Sequence, residues 1–186
     1  HIAKKILQFP DVMNDTKVLQ QFLGIVNYAR NHIDNLAKLA GPLYSKLRKN
    51  GQKYFNSEDI KLVRTIKEKV KNLKPLELPL DGNYFVIETD ASKEGWGAIL
   101  KQKPNKYSPK SEEKICRYAS GSYKLKTMNN TDREILAIIS AINAFRLYLG
   151  FKEFTVRTDC EAICRYYNHI NSKKSSTRRW VLFEDI

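Results

Sequence analysis

The chain has 186 residues, 42% hydrophobic and 28% charged, a composition that supports a packed core and argues against intrinsic disorder. No apolar run approaches the ~20 residues that a membrane-spanning helix needs, and no apolar leader follows His1. The formal net charge is +13, with residues 1–80 carrying 15 Lys+Arg against 7 Asp+Glu, which suits a polyanionic partner such as nucleic acid and, on charge alone, equally a merely soluble basic protein.

His1 stands where an initiating Met would be expected, which reads as a fragment or a processed product. Residues 16–30 place Val18, Leu19, Phe22, Leu23 and Val26 at helical spacing, with Thr16 or Asp15 as N-cap. A second helical stretch holds Leu36, Leu39, Leu43 and Leu47 and is interrupted at Gly41-Pro42; Asn50-Gly51 marks a turn. A third helix starts at Ser57 and runs through Ile60, Val63, Ile66, Val70 and Leu73. Lys61, Lys67, Lys69, Lys71 and Lys74 read as its solvated face, with unselective phosphate contacts open to one or two of them. Pro75 and Pro79 punctuate the chain, and a domain boundary is placed near residue 80.

Beyond that point the pattern changes to strands. Tyr84 to Thr89 and Trp96 to Gln102 read as two strands, residues 103–114 as a Lys/Ser/Pro-rich loop, and Ile115 to Ala119 as a third strand. Thr131 to Leu149 is a strong helix, with Ile135, Leu136, Ile138, Ile139, Ile142 and Phe145 apolar and Gly150 as its stop. Phe154 to Thr158 is a fourth strand, and Glu161 to His169 a short helix. The predicted order is β-β-β-α-β-α, an α/β domain over 81–186 preceded by a helical segment over 1–80. Three cysteines, Cys116, Cys160 and Cys164, are too few for a disulfide framework and read as small buried hydrophobes in a reducing compartment.

Three acids stand at chemically useful places. Asp90 ends the first strand, Glu134 lies in the first turn of the long helix and Asp159 ends the fourth strand. In a mixed sheet the ends of the first and fourth strands can be neighbours, and a helix packed across them would add the third carboxylate. Hard divalent cations want such oxygen ligands. Each acid also has a structural reading. Asp90 suits a turn, Asp159 suits the N-cap of the following helix, and Thr131-Asp132-Arg133-Glu134 fits a capping box.

The string ETDAS (Glu88 to Ser92), followed by EGWGAIL (Glu94 to Leu100), is similar to the first ribonuclease H motif of long-terminal-repeat retroelements and pararetroviruses. Arg133-Glu134-Ile135-Leu136-Ala137 resembles the second motif and Arg157-Thr158-Asp159 the third. QFLGIVNYAR (Gln21 to Arg30) and GPLYSKL (Gly41 to Leu47) resemble the thumb of the same reverse transcriptases. Together with Arg178-Arg179-Trp180, these point to the plant caulimovirus and badnavirus group.

The resemblance implies a ribonuclease H-like mixed sheet after a small thumb-like subdomain. It implies Asp90, Glu134 and Asp159 as catalytic and metal-binding residues, holding two Mg²⁺ ions, with Mn²⁺ as a substitute. The implied partners are an RNA/DNA hybrid or duplex DNA and an upstream polymerase domain of the same polyprotein, in the host-cell cytoplasm or within viral particles. The family's polymerase motif does not occur in this chain, so no DNA synthesis is expected of it. The family's fourth carboxylate lies further downstream than Asp185, to which that role is not carried over. The sequence is therefore expected to be a truncated domain with three of four acids and weak or no Mg²⁺-dependent activity, unless Glu88 or Asp185 serves locally.

Gln20, Gly24 and Tyr28 lie along one stripe of their helix. The family's equivalent helix enters the minor groove of the primer–template duplex, which assigns these three to nucleic-acid binding. The other reading has Gly24 admitting a second helix and Tyr28 in the core. Asn129 and Asn130 precede the long helix, where their amides suit the sugar edge of a hybrid or simply a turn. His32 and His169 read as ordinary residues, and Trp180 as a packing residue or a clamp on a strand. The competing function is a non-catalytic, connection-like module that grips hybrid duplex without cutting it.

Overall fold

Local capping signals set the helical half of the chain. A computed structural model describes residues 2–49, 51, 54–73, 76–123, 128–173 and 181–185, with backbone alone at 168–173, 181–183 and 185. Four helices come first: α1 (Ile2–Gln8), α2 (Thr16–Tyr28), α3 (Leu36–Ser45) and α4 (Ser57–Lys71). α1 is absent from the sequence reading because seven residues are too few for a helical period to register. Asp15 caps α2, its carboxylate accepting from Lys17 N at 2.9 Å. Asn56 and Asp59 close a reciprocal capping box on α4.

The interruption expected at Gly41-Pro42 does not occur, and α3 runs through both residues. Pro42 forfeits one backbone hydrogen bond, but Ala40 and Leu43 beside it are fully buried and hold the helix in place. They belong to a core that also contains Ile6, Phe22, Leu23, Val26, Val63 and Ile66. Lys67 is not part of a solvated face either. It reaches from α4 to the Phe9 carbonyl and to Asp11 Oδ1 at 2.8 Å, tying the end of α1 to α4. Lys74, Pro75 and Asn50 lie outside the described residues.

A second core sits in a five-stranded sheet of order β3-β2-β1-β4-β5, made by β1 (Tyr84–Ala91), β2 (Gly95–Lys103), β3 (Lys114–Ser122), β4 (Phe154–Thr158) and β5 (Val181–Asp185). β1 pairs antiparallel with β2, and β2 with β3, while β1, β4 and β5 run parallel, so the sheet is mixed as expected. A single 3₁₀ turn, Lys110–Glu112, lies in the loop before β3. Helices α5 (Asn130–Leu149) and α6 (Glu161–Lys173) complete the order. Ile138, Ala141 and Phe145 of α5 cover Ile87, Leu100 and Val156 of the sheet. Cys116 and Cys164 are buried and Cys160 partly so, none of them in a disulfide. β5 was not expected from the sequence. Its five residues follow a stretch, 174–180, that contains Arg178, Arg179 and Trp180 and lies outside the described residues.

Arg157 on β4 binds the strands on one face of the sheet. Its guanidinium donates to Glu88 on β1 at 2.9 Å, to Glu113 just before β3 at 2.6 and 2.8 Å, and to Glu184 on β5 at 2.6 Å. The helical half meets the sheet through α3 and the segment before it. Tyr118 N donates to Asn31 O, and Ala37 N to Ser120 Oγ, both at 3.0 Å.

Inside the helical half, Lys46 and Asp59 form a buried ion pair at 2.7 Å, with side chains 8% and 6% exposed. Asp59 Oδ2 also accepts from Asn56 N, so one carboxylate serves the pair and the cap together. Replacing it takes the opposite charge away from a buried ammonium that also donates to the Tyr54 carbonyl, at 2.7 Å, and removes half of the capping box. Asp59→Ala should therefore cost about 3–5 kcal/mol of unfolding free energy, measured by urea denaturation. A loss under 1 kcal/mol would show that the pair contributes no more than a surface one.

Candidate active site

Parallel pairing of β1 with β4 sets Val86 opposite Thr155, Ile87 opposite Val156 and Glu88 opposite Arg157. Two residues beyond that last pair, one on each chain segment, come Asp90 and Asp159. Residues i and i+2 of a strand share a face, so the two aspartates emerge side by side at the same edge of the sheet. Both are exposed. Neither acts as the turn or cap residue that composition also allowed: Asp90 is still within β1, and it is Thr158 Oγ1 that accepts from Cys160 N at 3.2 Å.

Glu134 completes the set from α5. The capping box expected at Thr131–Glu134 does not form, because α5 starts earlier and Asn129 is its N-cap, accepting from Asp132 N at 2.8 Å. Glu134 is thus left in the second turn, facing the aspartates. One oxygen from each of Asp90, Glu134 and Asp159 lies within 4.8 Å of the others. Glu134 Oε2 is buried and has no hydrogen-bond partner among the described residues. Burial, and then the neighbouring Asp159 and Asp90 carboxylates, push the Glu134 carboxyl up to about 7. Three converging acids with a solvent-starved oxygen and, among the described residues, no cationic side chain bonded to them fit a divalent cation.

Glu88 is not among the acids whose oxygens converge, and its Oε1 is held by two cationic side chains. It accepts from Lys101 at 2.7 Å and from Arg157 at 2.9 Å. Burial raises its pKa, but those hydrogen bonds outweigh burial and hold it below the usual glutamate value. The backbone of Asp185 lies in β5 opposite Thr158.

The other residues singled out from sequence separate into two groups. Asn130 lines a cavity of about 460 Å³ together with Ser92, Arg133, Glu134 and Asp159, and its side chain accepts from Arg133 Nη1 at 3.0 Å. Asn129 is a helix cap. Gln20, Gly24 and Tyr28 lie on the far helical half as an exposed stripe of α2, with Tyr28 78% exposed. A Cβ added at Gly24 would meet nothing within 4 Å, so neither helix packing nor a core tyrosine explains the stripe. His32 is exposed, and the side chain of His169 lies outside the described residues.

The family model for the RNase H-like domain found in reverse transcriptase matches residues 81–183. This chain belongs to that family. Polyprotein P3 of Commelina yellow mottle virus is 45% identical over the whole of the chain, which spans 10% of that protein. The enzymatic polyprotein of carnation etched ring virus is 42% identical over 93% of the chain and 26% of its own length. That of cauliflower mosaic virus strain D/H is 41% identical over 86% of the chain and 24% of its own length. The chain therefore spans from a tenth to about a quarter of these viral relatives, and the pararetrovirus grouping expected from its motifs holds. Among solved structures, the foamy viral protease–reverse transcriptase in complex with RNA/DNA hybrid superposes with a TM-score of 0.71 at 19% identity, covering all of this chain and 26% of that one. The same protein in complex with dsDNA gives 0.70 at 19% identity, with 100% and 40% covered. These establish the ribonuclease H-like fold.

Glu134 makes the metal-free protein pH-sensitive in a defined direction. Its folded pKa, about 7, stands above the ordinary glutamate value of 4.5, so the folded chain holds this proton more tightly than the unfolded chain. Its contribution is fully present below pH 4.5 and is lost as pH rises towards 7. Thermal melts in EDTA should show a decline over that window, absent in Glu134→Gln, and Mg²⁺ should reduce it. A pH-independent difference between the two proteins would contradict the clustered geometry.

Proposed function

We propose that this chain is the ribonuclease H portion of a pararetroviral reverse transcriptase, hydrolysing the RNA strand of an RNA/DNA hybrid. The observation that carries the reading is the convergence of Asp90, Glu134 and Asp159 from β1, α5 and the end of β4 to within 4.8 Å. Mg²⁺ is the natural occupant, with Mn²⁺ as a substitute of the same oxygen preference. Two such ions, bound roughly 3.5–4 Å apart, would activate a water and stabilise the leaving oxygen of a phosphodiester.

The chain's own residues have separate tasks. Asp90 and Asp159, both exposed and side by side, are placed to hold cations where a phosphate can approach. Glu134 offers a half-buried carboxylate from the helix side. Glu88, held by Lys101 and Arg157, keeps the strands in register without adding to the cluster's charge. The helical segment over 1–80 acts as a thumb-like unit with its own core, and 81–186 as the nuclease domain. Gln20, Gly24 and Tyr28 present a shallow polar surface with an empty notch at Gly24, which suits shape-based contact with the minor groove of a hybrid or of duplex DNA. Asn130 is placed to contact the sugar edge beside the acids, and Asn129 keeps only its capping role. An upstream polymerase domain of the same polyprotein is the covalent partner, and the host-cell cytoplasm or the viral particle the place of action.

Cleavage of a labelled hybrid by the chain in Mg²⁺ and in Mn²⁺ tests the reading. Asp90→Asn should lower the rate at least about 100-fold, as expected for loss of a metal ligand rather than of its outer support. Equal cleavage by both proteins would overturn the mechanism. Hybrid binding without cleavage in either metal, by this chain and also by a version extended through the family's fourth carboxylate, would instead favour the connection-like module. Binding should also weaken steeply with salt as phosphate contacts release counterions.

The Gly24 notch gives a second, independent prediction. Gly24→Ala should stabilise the free protein by up to about 1 kcal/mol, since alanine is the better helix former and has open space there. It should at the same time weaken hybrid binding, read by fluorescence anisotropy. Stabilisation with unchanged affinity would remove α2 from the interface.

A further inference from the structure

Among the described residues, Asn35 is the one non-glycine with positive φ, at φ 52° and ψ 36°. It stands at the N-cap of α3 yet makes no capping hydrogen bond. Ser120 on β3 takes over that duty, its Oγ accepting from Ala37 N at 3.0 Å. The Asn35 side chain is thereby released from its own helix. It lies instead over Gly97 of β2, where any Cβ would collide with Asn35 Oδ1. Gly97 is the register partner of Asp90.

This geometry carries Asn35 out of the helical half and into the nuclease site. A cavity of about 270 Å³ is lined by Asn35 together with Asp90, Asp159 and Gly97. Left-handed backbone at a non-glycine residue costs energy, and such residues concentrate where a side chain must be aimed at a ligand. A helix cap that does not cap, in the left-handed conformation that asparagine adopts more readily than other non-glycine residues, lines a cavity with two candidate metal ligands, its side chain free of a capping role in its own helix.

We propose that Asn35 is a substrate-contacting residue of the nuclease site, supplied by the helical half, and that its amide contacts the ribose 2′-hydroxyl of the RNA strand beside the cut. The inference rests on the ribonuclease H reading above. An amide offers both a donor and an acceptor, as does the 2′-hydroxyl. A phosphate contact would instead call for Lys or Arg. Among three carboxylates a neutral amide also leaves the charge available to cations. The seam between the two halves is therefore part of the site, and the chain distinguishes RNA from DNA partly through its thumb-like half.

The test uses Asn35→Gly in the whole chain. Glycine adopts the same φ without strain, so the backbone is kept and only the amide is lost. Affinity for a hybrid and for dsDNA of the same sequence is measured by anisotropy. The expected result is a loss of about 5–10-fold for the hybrid and less than about 2-fold for the DNA duplex, the size of one hydrogen bond, with an unchanged melting temperature. Unchanged hybrid affinity, or equal losses on both duplexes, overturns the contact. A coupling test guards against misfolding: Gly97→Ala, which crowds the amide, should weaken hybrid binding in the Asn35 protein and have no such effect in Asn35→Gly. Additive effects of the two substitutions would also overturn the proposal. Hybrid cleavage that vanishes in Asp90→Asn tests the underlying ribonuclease reading, so the two can fail separately.

Discussion

The parallel pairing of β1 with β4 is the constraint on which the site depends. Asp90 and Asp159 are 69 residues apart in the chain and become neighbours only because these two strands lie side by side in one particular register. A one-residue slip would put one aspartate on the opposite face. Arg157 guards against that slip. It is 2% exposed, and its guanidinium bonds to carboxylates from β1, from the approach to β3, and from β5. Hydrogen bonds to Glu113 first, then to Glu184 and Glu88, push its pKa above the ordinary arginine value despite burial. A charge buried this deeply is tolerated only where every partner is in place, so the network specifies the register as well as joining the strands.

The same sheet separates two groups of acids with opposite environments. Glu88 and Glu113 are answered by Arg157, Lys101 and Lys103, and both carboxyls are held below the usual glutamate range. Glu134 is answered by no cationic side chain among the described residues and is pushed the other way. Spacing along β1 alone would not predict that Glu88 and Asp90, two residues apart on one face, belong to different electrostatic systems. The difference arises from what β4 places opposite each: Arg157 opposite Glu88, and Asp159 beside Asp90.

Much of the fold was legible from local pattern. The start of α4, the limits of β4 and the end of α5 follow from caps, strand pattern and the Gly150 stop, and the three carboxylates follow from strand ends and motif order. Other features were decided by tertiary contacts that a sequence does not display. α3 passes through Pro42 because its neighbours are buried. Lys67 looks like a solvated lysine but is spent on the end of α1. The start of α5 was placed one residue late because Thr131–Glu134 and Asn129–Asp132 carry competing capping signals two residues apart, and the earlier one wins. Asn35 gave no sequence signal, since its conformation depends on a serine 85 positions away replacing it as a cap. β5 was missed because five residues beside a charged stretch do not stand out as a strand.

The hydrogen bond from Tyr118 N to Asn31 O has a practical consequence for handling the protein. β3 is one of the two edge strands of the sheet, and that bond, with Glu77 N reaching Ile115 O, occupies part of its outward row of backbone groups. An outer strand stripped of such cover becomes a template for another chain. Cutting the polypeptide at residue 80 to prepare the nuclease half alone would remove both covers at once. Such a preparation would be prone to self-association, whereas one retaining the helical half keeps its border closed.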